Sequence, residues 1–168
     1  MWKGGEVERV TQLLLKQLGK PYAIGAKDLK TKKWVVRGKP EVCDEDPMEF
    51  DCSGLSRWII AQGIDQHGKR LVLPRGSYNQ VKECRPVVTG WRPLDLGFAD
   101  MDGEGGIDHV IIRLNEELVV EARGHQKDRD YGKVITRPVS AWEAWRGFFG
   151  WFRAPGIYNE RLAGEVAA

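Results

Sequence analysis

Four short apolar runs in the second half of the chain restrict the folds open to it. Each run is rich in branched or aromatic residues and is short enough to be a single strand. The interval at 99–106 is acidic and Gly-rich, which is typical of a loop. The pattern predicts an antiparallel meander with strands at 94–98, 109–114, 118–122 and 134–136.

Helical patterns precede the strands. An apolar stripe at helical spacing, closed by Gly19, predicts a helix at 6–18. A second stripe predicts a helix from residue 52 to about residue 62 and consists of Leu55, Trp58 and Ile59.

The remaining segments are less regular. Residues 26–48 are polar, Lys-rich and contain proline, so we expect an insertion loop with a short strand at 34–36. Residues 63–93 are predicted to be irregular, and residues 159–168 to form a flexible tail. The C-terminal aromatic residues are expected to pack in the core on a helix or turn and a final strand, with a carbohydrate-stacking surface as the alternative. They are Trp142, Trp145, Phe148, Phe149, Trp151 and Phe152.

Composition limits the functional classes. At 168 residues the chain is expected to form a single domain over 1–168. A net charge of +2 and a pI of 8.4 are too weakly basic to indicate a nucleic-acid-binding protein. The N-terminus lacks a signal-peptide core, and no apolar run approaches membrane-spanning length. We therefore expect a soluble protein made in the cytoplasm, without nucleic-acid partners or membrane insertion.

The three cysteines are an odd set without Cys-x-x-Cys spacing. This argues against a disulfide framework and against a structural zinc site. Cys43 and Cys84 are able to pair and leave Cys52 free, and the sequence leaves that pairing open.

Cys52 is the strongest candidate for chemistry because it lies in the first turn of a predicted helix. Asp51 is a good N-cap residue, since its carboxylate accepts hydrogen bonds from the free N–H groups of that turn. These groups and the helix dipole favour negative charge, which at a cysteine is the nucleophilic thiolate. The alternative is a small buried residue without a chemical role.

A nucleophilic cysteine needs an imidazole as its base and a third group to orient the imidazole. Of the three histidines, His67 and His125 lie in polar sequence beside glycine and are expected to be exposed. His109 begins a predicted strand, which would hold it at the edge of the core. It is therefore the candidate base for Cys52.

The strand that follows His109 offers the third group. If the connecting loop occupies 114–116, His109 faces Glu121 across the two strands. The Glu121 carboxylate would then accept from one ring nitrogen while the other addresses Cys52. A register shifted by one residue would place the two side chains on opposite faces.

Several ordered motifs resemble those of the NlpC-type cell-wall peptidases, which are compact papain-like cysteine peptidases. The resemblance covers roughly residues 6–136, and the ordered series is far more specific than any one motif. The matching segments are Leu18-Gly19-Lys20-Pro21-Tyr22 with Gly25, Asp51-Cys52-Ser53-Gly54-Leu55, Leu73-Pro74-Arg75 with Ser77 and Gln80, Pro93-Leu94-Asp95-Leu96, and His109-Val110.

The resemblance implies an α+β papain-like fold, with N-terminal helices and the cysteine helix packed on a small antiparallel sheet. It implies hydrolysis of amide bonds in peptidoglycan stem peptides, commonly between D-glutamate and diaminopimelate. Cys52 would be the nucleophile and His109 the base, with Glu121 as the third residue and the Cys52 N–H stabilising the oxyanion. The pocket for the N-terminal end of the stem peptide would be shaped by Tyr22, Asp51, Ser53 and Ser77.

The sequence departs from the family pattern in three places. Glu121 stands where histidine is common, and Leu94 replaces the glycine that usually precedes Asp95. Residues 26–48 lengthen the loop beside the nucleophile and are expected to narrow the groove. The segment at 121–124 and the lack of a signal peptide or wall-binding repeat resemble phage and prophage members, which serve as lysins or tail-associated wall hydrolases.

The sequence therefore predicts a peptidoglycan-cleaving cysteine peptidase that needs no metal and no organic cofactor. Its further partners would be phage tail or lysis proteins that deliver it to the cell wall. A first alternative is a papain-like acyltransferase or amidase acting on a substrate outside the wall. A second is a non-catalytic phage structural or binding module, which would show an unreactive cysteine and no turnover.

Overall fold

The computed structural model describes residues 1–22, 47, 49–124 and 132–158. Within these residues the chain forms four helices and six strands. The helices are α1 (Glu6–Leu15), α2 (Cys52–Gln62), α3 (Ser77–Glu83) and α4 (Val139–Glu143). The strands are β1 (Arg85–Pro86), β2 (Leu96–Ala99), β3 (His109–Arg113), β4 (Leu118–Arg123), β5 (Lys133–Pro138) and β6 (Phe148–Arg153).

The strands make one antiparallel sheet in the order β1-β6-β2-β3-β4-β5. From β2 to β5 each strand pairs with the next one along the chain, which confirms the predicted meander. β6 returns to the other side of β2 and pairs with β1 at the outer edge. The α+β fold class implied by the resemblance is confirmed.

Beyond the end of β3, the Leu114 N–H still donates to the Leu118 carbonyl at 3.0 Å, so the turn that joins β3 to β4 occupies 115–117, one residue later than predicted. The observed pairing of the two strands, continued to the start of β3, places Arg123 rather than Glu121 opposite His109. The predicted register is therefore wrong by two residues. Because two residues are one full period of a strand, His109 and Glu121 still share a face of the sheet.

The sheet separates two hydrophobic clusters. The larger cluster lies under α1 and α2 and takes Val110 and Ile112 from β3. The smaller cluster lies on the opposite face against α4 and includes Ile111 and Trp142. β3 is buried on both faces, which explains why its sequence is a continuous apolar run rather than an alternating one.

The prediction that residues 63–93 are irregular is wrong, since α3 and β1 lie there. α3 has seven residues, and its buried positions are the polar residues Ser77 and Gln80. It begins after Gly76, whose φ of 80° suits glycine. Hydrophobic periodicity cannot reveal a short helix that packs through polar side chains.

The first helix ends earlier than the predicted residue 18. The N–H groups of Gln17 and Leu18 donate to carbonyls three residues back, at 3.0 and 3.2 Å, so the last turn is tightened. Gly19 then takes a φ of 84°, as glycine commonly does after a helix.

The C-terminal aromatic residues are only partly in the core. α4 and β6 confirm the expected helix or turn and final strand, and Trp142 is buried in the smaller cluster. Trp145 and Phe149 are 47% and 52% exposed, so the prediction that they pack in the core is wrong. His67 is exposed, as predicted.

Several predictions fall outside the described residues. They concern the insertion loop at 26–48 apart from Pro47, the strand at 34–36, Gly25, Cys43, the exposure of His125 and the tail at 159–168. Of the cysteines in the described ranges, Cys52 and Cys84 both carry free thiols. Of the helices in this part of the chain, none has the length and apolarity needed to cross a bilayer.

Candidate active site

Cys52 is the first residue of α2. Asp51 is its N-cap, with extended backbone and a carboxylate that accepts from the Gly54 N–H at 2.6 Å. The Cys52 thiol is nearly buried, and its Sγ lies 3.9 Å from the carbonyl oxygen of Asp108. The end of the loop before β3 thus lies directly beside the sulfur.

His109 follows Asp108 as the first residue of β3, and its ring is buried. Its Nε2 lies 2.7 Å from Oε2 of Glu121, and the ring also interacts with the side chain of Cys52. Burial alone lowers the pKa of His109, but the hydrogen bonds to Cys52 and Glu121 outweigh it and raise the pKa to about 10. The raised pKa favours the imidazolium form of His109, and an imidazolium favours the thiolate of a neighbouring cysteine.

The Glu121 side chain is fully buried on β4. It reaches His109 along the diagonal of the β3–β4 ladder, a distance that long side chains can span. The three residues that the sequence singled out, Cys52, His109 and Glu121, therefore lie together in the structure.

Trp142, Arg123 and Arg137 surround this group, and the sequence prediction did not assign them to the site. The Trp142 ring stacks on His109 with 5.4 Å between ring centroids and 25° between planes. Arg123 and Arg137 approach Oε1 of Glu121 at 3.7 and 3.8 Å. Strand periodicity offered a signal for Arg123, because it lies two residues after Glu121 and so shares its face.

Tyr22 lies beside the nucleophile. Burial raises the pKa of its phenol, and so do the negative charges of Cys52, Asp51 and Asp108. Its ring packs against Gly124, where any side chain would collide with it. This contact explains why glycine follows Arg123 at the end of β4.

Ser53 and Ser77 lie at the starts of α2 and α3. The Ser53 hydroxyl donates to Oδ1 of Asp51 at 3.4 Å, and Ser77 is buried. Gln80 joins the two helices, since its Nε2 donates to the carbonyl of Ser53 at 2.9 Å and its Oε1 accepts from the Ser56 hydroxyl at 2.6 Å. Gln80 was visible in the matching motif, but no role was assigned to it.

A second polar group lies in the loop before β3. Within the described ranges, Asp100, Asp102 and Asp108 form a group whose carboxylate oxygens lie within 4.8 Å of one another, as a cation site would require. Backbone N–H groups of the same loop donate to these carboxylates, among them that of Gly103 to Asp100 at 2.6 Å and that of Met101 to Asp108 at 2.8 Å.

The fold and the site together define the class. A cysteine at the start of a helix, paired with a histidine on the adjacent antiparallel sheet, makes this a papain-like α+β domain. Comparison of the sequence with known protein families and with characterised proteins found no match.

Solved structures identify the particular fold as that of the NlpC/P60 domains. The P60 domain of an antigen from M. avium subspecies paratuberculosis is 28% identical, with a TM-score of 0.58 over 91% of this chain and 96% of that one. NlpC2 from Trichomonas vaginalis is 17% identical with a TM-score of 0.61, and this chain spans 48% of its length. The NlpC/p60 domain of the peptidoglycan hydrolase SagA is 22% identical, with a TM-score of 0.52 over 80% of this chain and 91% of that one. The predicted resemblance to NlpC-type domains is confirmed.

Proposed function

We propose that this chain is a cysteine peptidase that hydrolyses amide bonds in peptidoglycan stem peptides, between D-glutamate and diaminopimelate. The observation that carries the proposal is the position of Cys52 at the start of α2, with its Sγ 3.9 Å from the carbonyl oxygen of Asp108, beside a buried His109 whose Nε2 lies 2.7 Å from Glu121. The shared fold with the domain of a peptidoglycan hydrolase supports the substrate class. The choice of bond follows from the resemblance noted in the sequence.

The first half of the reaction uses the Cys52 thiolate together with the protonated His109. The Cys52 thiolate attacks the carbonyl carbon of the scissile amide, and the oxyanion that forms accepts from the Cys52 N–H at the positive end of the helix. The protonated His109 gives its proton to the leaving amine, and the C–N bond breaks. The products are the free amine and a thioester between Cys52 and the acyl part of the substrate.

The second half regenerates the enzyme with the same groups. The now neutral His109 takes a proton from water, and the hydroxide attacks the thioester carbonyl. The carbon–sulfur bond breaks, which releases the carboxylic acid and restores the thiolate beside the imidazolium. Glu121 holds the ring through both halves by its 2.7 Å contact with Nε2.

The residues proposed to bind the stem peptide are Tyr22, Asp51, Ser53 and Ser77. Electrostatic coupling of the Tyr22 phenol to Asp51 and Cys52 supports a position beside the nucleophile. Carboxylates at this end of the groove suit the free amine of a stem peptide, since a charged amine gains from a nearby anion. We assign this end to the N-terminal side of the scissile bond.

The test is mass spectrometry of soluble fragments released from purified diaminopimelate-type peptidoglycan. Wild-type protein is expected to release fragments cut between D-glutamate and diaminopimelate, and Cys52→Ala is expected to release none. Cys84→Ala removes the other described free thiol, which is buried at the end of α3, and should keep activity.

The other outcomes separate the alternatives. Cleavage at a different bond would keep the mechanism and reject the assigned subsites. Products that form only when an amine acceptor is added would identify an acyltransferase. No release by folded wild-type protein, together with an unreactive Cys52, would indicate a binding module and reject the proposal.

A role as a phage lysin or tail-associated hydrolase is part of the same proposal. It rests on the similarity of the 121–124 segment to phage and prophage members. Lysis of cells treated from outside with the purified protein would support it, and absence of lysis despite cleavage of isolated peptidoglycan would contradict a lysin role.

A further inference from the structure

Glu121 places a negative charge where solvent cannot reach it. Its side chain is 0% exposed, and Oε2 is taken by His109 at 2.7 Å. Oε1 makes no hydrogen bond with any of the described residues. A carboxylate buried in this way is costly unless opposite charges compensate it.

Two arginines face the second carboxylate oxygen. Arg123 Nη1 and Arg137 Nε lie 3.7 and 3.8 Å from Oε1. Strand pairing explains their convergence: Arg123 lies two residues after Glu121, and Arg137 pairs with Val119, two residues before it. Their side chains are 17% and 30% exposed, so each charge keeps some hydration while it reaches Glu121.

The Trp142 ring packs against His109, Arg123 and Arg137. Its ring stacks on His109, and the guanidinium carbons of Arg123 and Arg137 lie 5.8 and 5.7 Å from its centroid. Cations at this distance are attracted to the face of an indole ring. The base, its carboxylate and the two arginines therefore pack around a single buried side chain.

We propose that Arg123 and Arg137 are positioning residues of the active site, which supply the opposite charge that allows a carboxylate to orient His109. This inference rests on the proposed hydrolytic function, which it deepens. The two arginines act through Glu121 and do not contact the reacting atoms.

The test is a thermodynamic cycle on melting temperature. Replacing both arginines, in R123Q/R137Q, should lower the Tm by roughly 5 °C, because Glu121 is left buried without opposite charge. Adding Glu121→Gln to that variant should restore at least about half of the loss, because the charge in need of compensation is gone. If Glu121→Gln changes the Tm by the same amount with and without the arginines, the inference is wrong.

Arg113 is the matched control. Like Arg123 and Arg137, it is an arginine on the sheet whose guanidinium lies over tryptophan, but it is buried and pairs with Glu143 at 3.4 Å. Glu121→Gln should not restore any stability lost in Arg113→Gln. If R123Q/R137Q does not fold, the same cycle with Arg137→Gln alone decides the question.

A kinetic readout separates positioning from packing. With a soluble stem peptide, Arg137→Gln should lower kcat about tenfold with little change in KM, and Arg137→Lys should recover most of the loss because it keeps the charge. Equal loss in the Gln and Lys variants would contradict the inference. If wild-type protein hydrolyses nothing, the proposed function fails, and the Tm cycle still tests the role of the arginines. If wild-type protein is active but the effects of the arginine and Glu121 substitutions on Tm simply add, only the inference about the arginines fails.

Discussion

At the scale of single residues, the neighbours of His109 favour its protonated form. The ring is buried, which alone would favour the neutral form, yet Cys52 and Glu121 hold its pKa above the ordinary value. A raised folded-state pKa contributes stability that is fully present below the ordinary pKa of histidine. That stability is lost as the pH rises through the folded-state value.

Replacing Glu121 with Gln should move the alkaline limit of activity to lower pH. The amide still accepts a hydrogen bond from Nε2 but lacks the negative charge, so the pKa of His109 falls. The imidazolium needed in the first step is then lost roughly one pH unit earlier. The measurement is the pH dependence of kcat in both proteins. An unchanged alkaline limit would show that Glu121 does not set the protonation of His109.

Leu94 shows why a departure from a motif can be tolerated. It has a φ of 67°, in the left-handed region that favours glycine, and the NlpC-type motif that this segment resembles has glycine at this position. Its side chain is completely buried in the larger cluster, and that burial offsets a strain of about 1–2 kcal/mol. The sequence shows that Leu94 departs from the motif, but only its positive φ explains why glycine is expected at this position.

At the scale of elements, the parts that the sequence predicts best are those that pack through apolar side chains. α2 and the strands from β2 to β5 were found from apolar periodicity and from residues such as Asp51 and Gly63. α3 was missed because it packs through Gln80, and the register of β4 was missed because it depends on where a three-residue loop begins. The sequence could single out Cys52, His109 and Glu121 because each has a distinct chemistry, and their catalytic roles stay a prediction. Trp142 and Arg137 were not assigned to the site because they come from elements far along the chain.

Replacing Gln80 with Leu should loosen the start of α2. The carbonyls of Ser53 and Pro74 lose the donor that the Gln80 amide supplies, and the buried Ser56 hydroxyl retains the Ser53 carbonyl as its acceptor. We therefore expect a loss of about 1–3 kcal/mol in the free energy of unfolding. Because Ser53 directly follows the nucleophile, kcat should fall as well. Urea unfolding and peptide hydrolysis measure the two effects.

Gln12→Leu is the control for this substitution, since Gln12 is exposed on α1 and its amide bonds only to Glu8. It should change neither quantity appreciably. Full activity in Gln80→Leu would show that the α3 contact does not position Cys52.

At the scale of the whole molecule, a buried ion pair ties the last strand to the sheet. Arg153 on β6 donates to both carboxylate oxygens of Asp95 at 2.7 Å, and neither side chain is more than 10% exposed. The two residues are 58 positions apart in the sequence, and the pair joins the residue that precedes β2 to the end of β6.

Asp95→Asn should cost about 3–5 kcal/mol of the free energy of unfolding, because it leaves the Arg153 guanidinium buried without its opposite charge. Glu143→Gln, at the half-exposed partner of Arg113, should cost less than about 1 kcal/mol. Urea denaturation compares the two. A loss of similar size in both variants would mean that the burial of the Asp95–Arg153 pair does not increase its contribution to the free energy of unfolding.

The position of the 115–117 loop has a consequence for how this domain can change by insertion and deletion. Sliding β4 by two residues against β3 exchanges the partner opposite His109 but keeps Glu121 on the face where it is needed. Sliding it by one residue would turn Glu121 toward the larger cluster and bring an apolar neighbour to the base. Insertions or deletions that shift the register of this hairpin are therefore expected to be retained in evolution only when the shift is an even number of residues. An odd shift would move Glu121 to the face opposite His109.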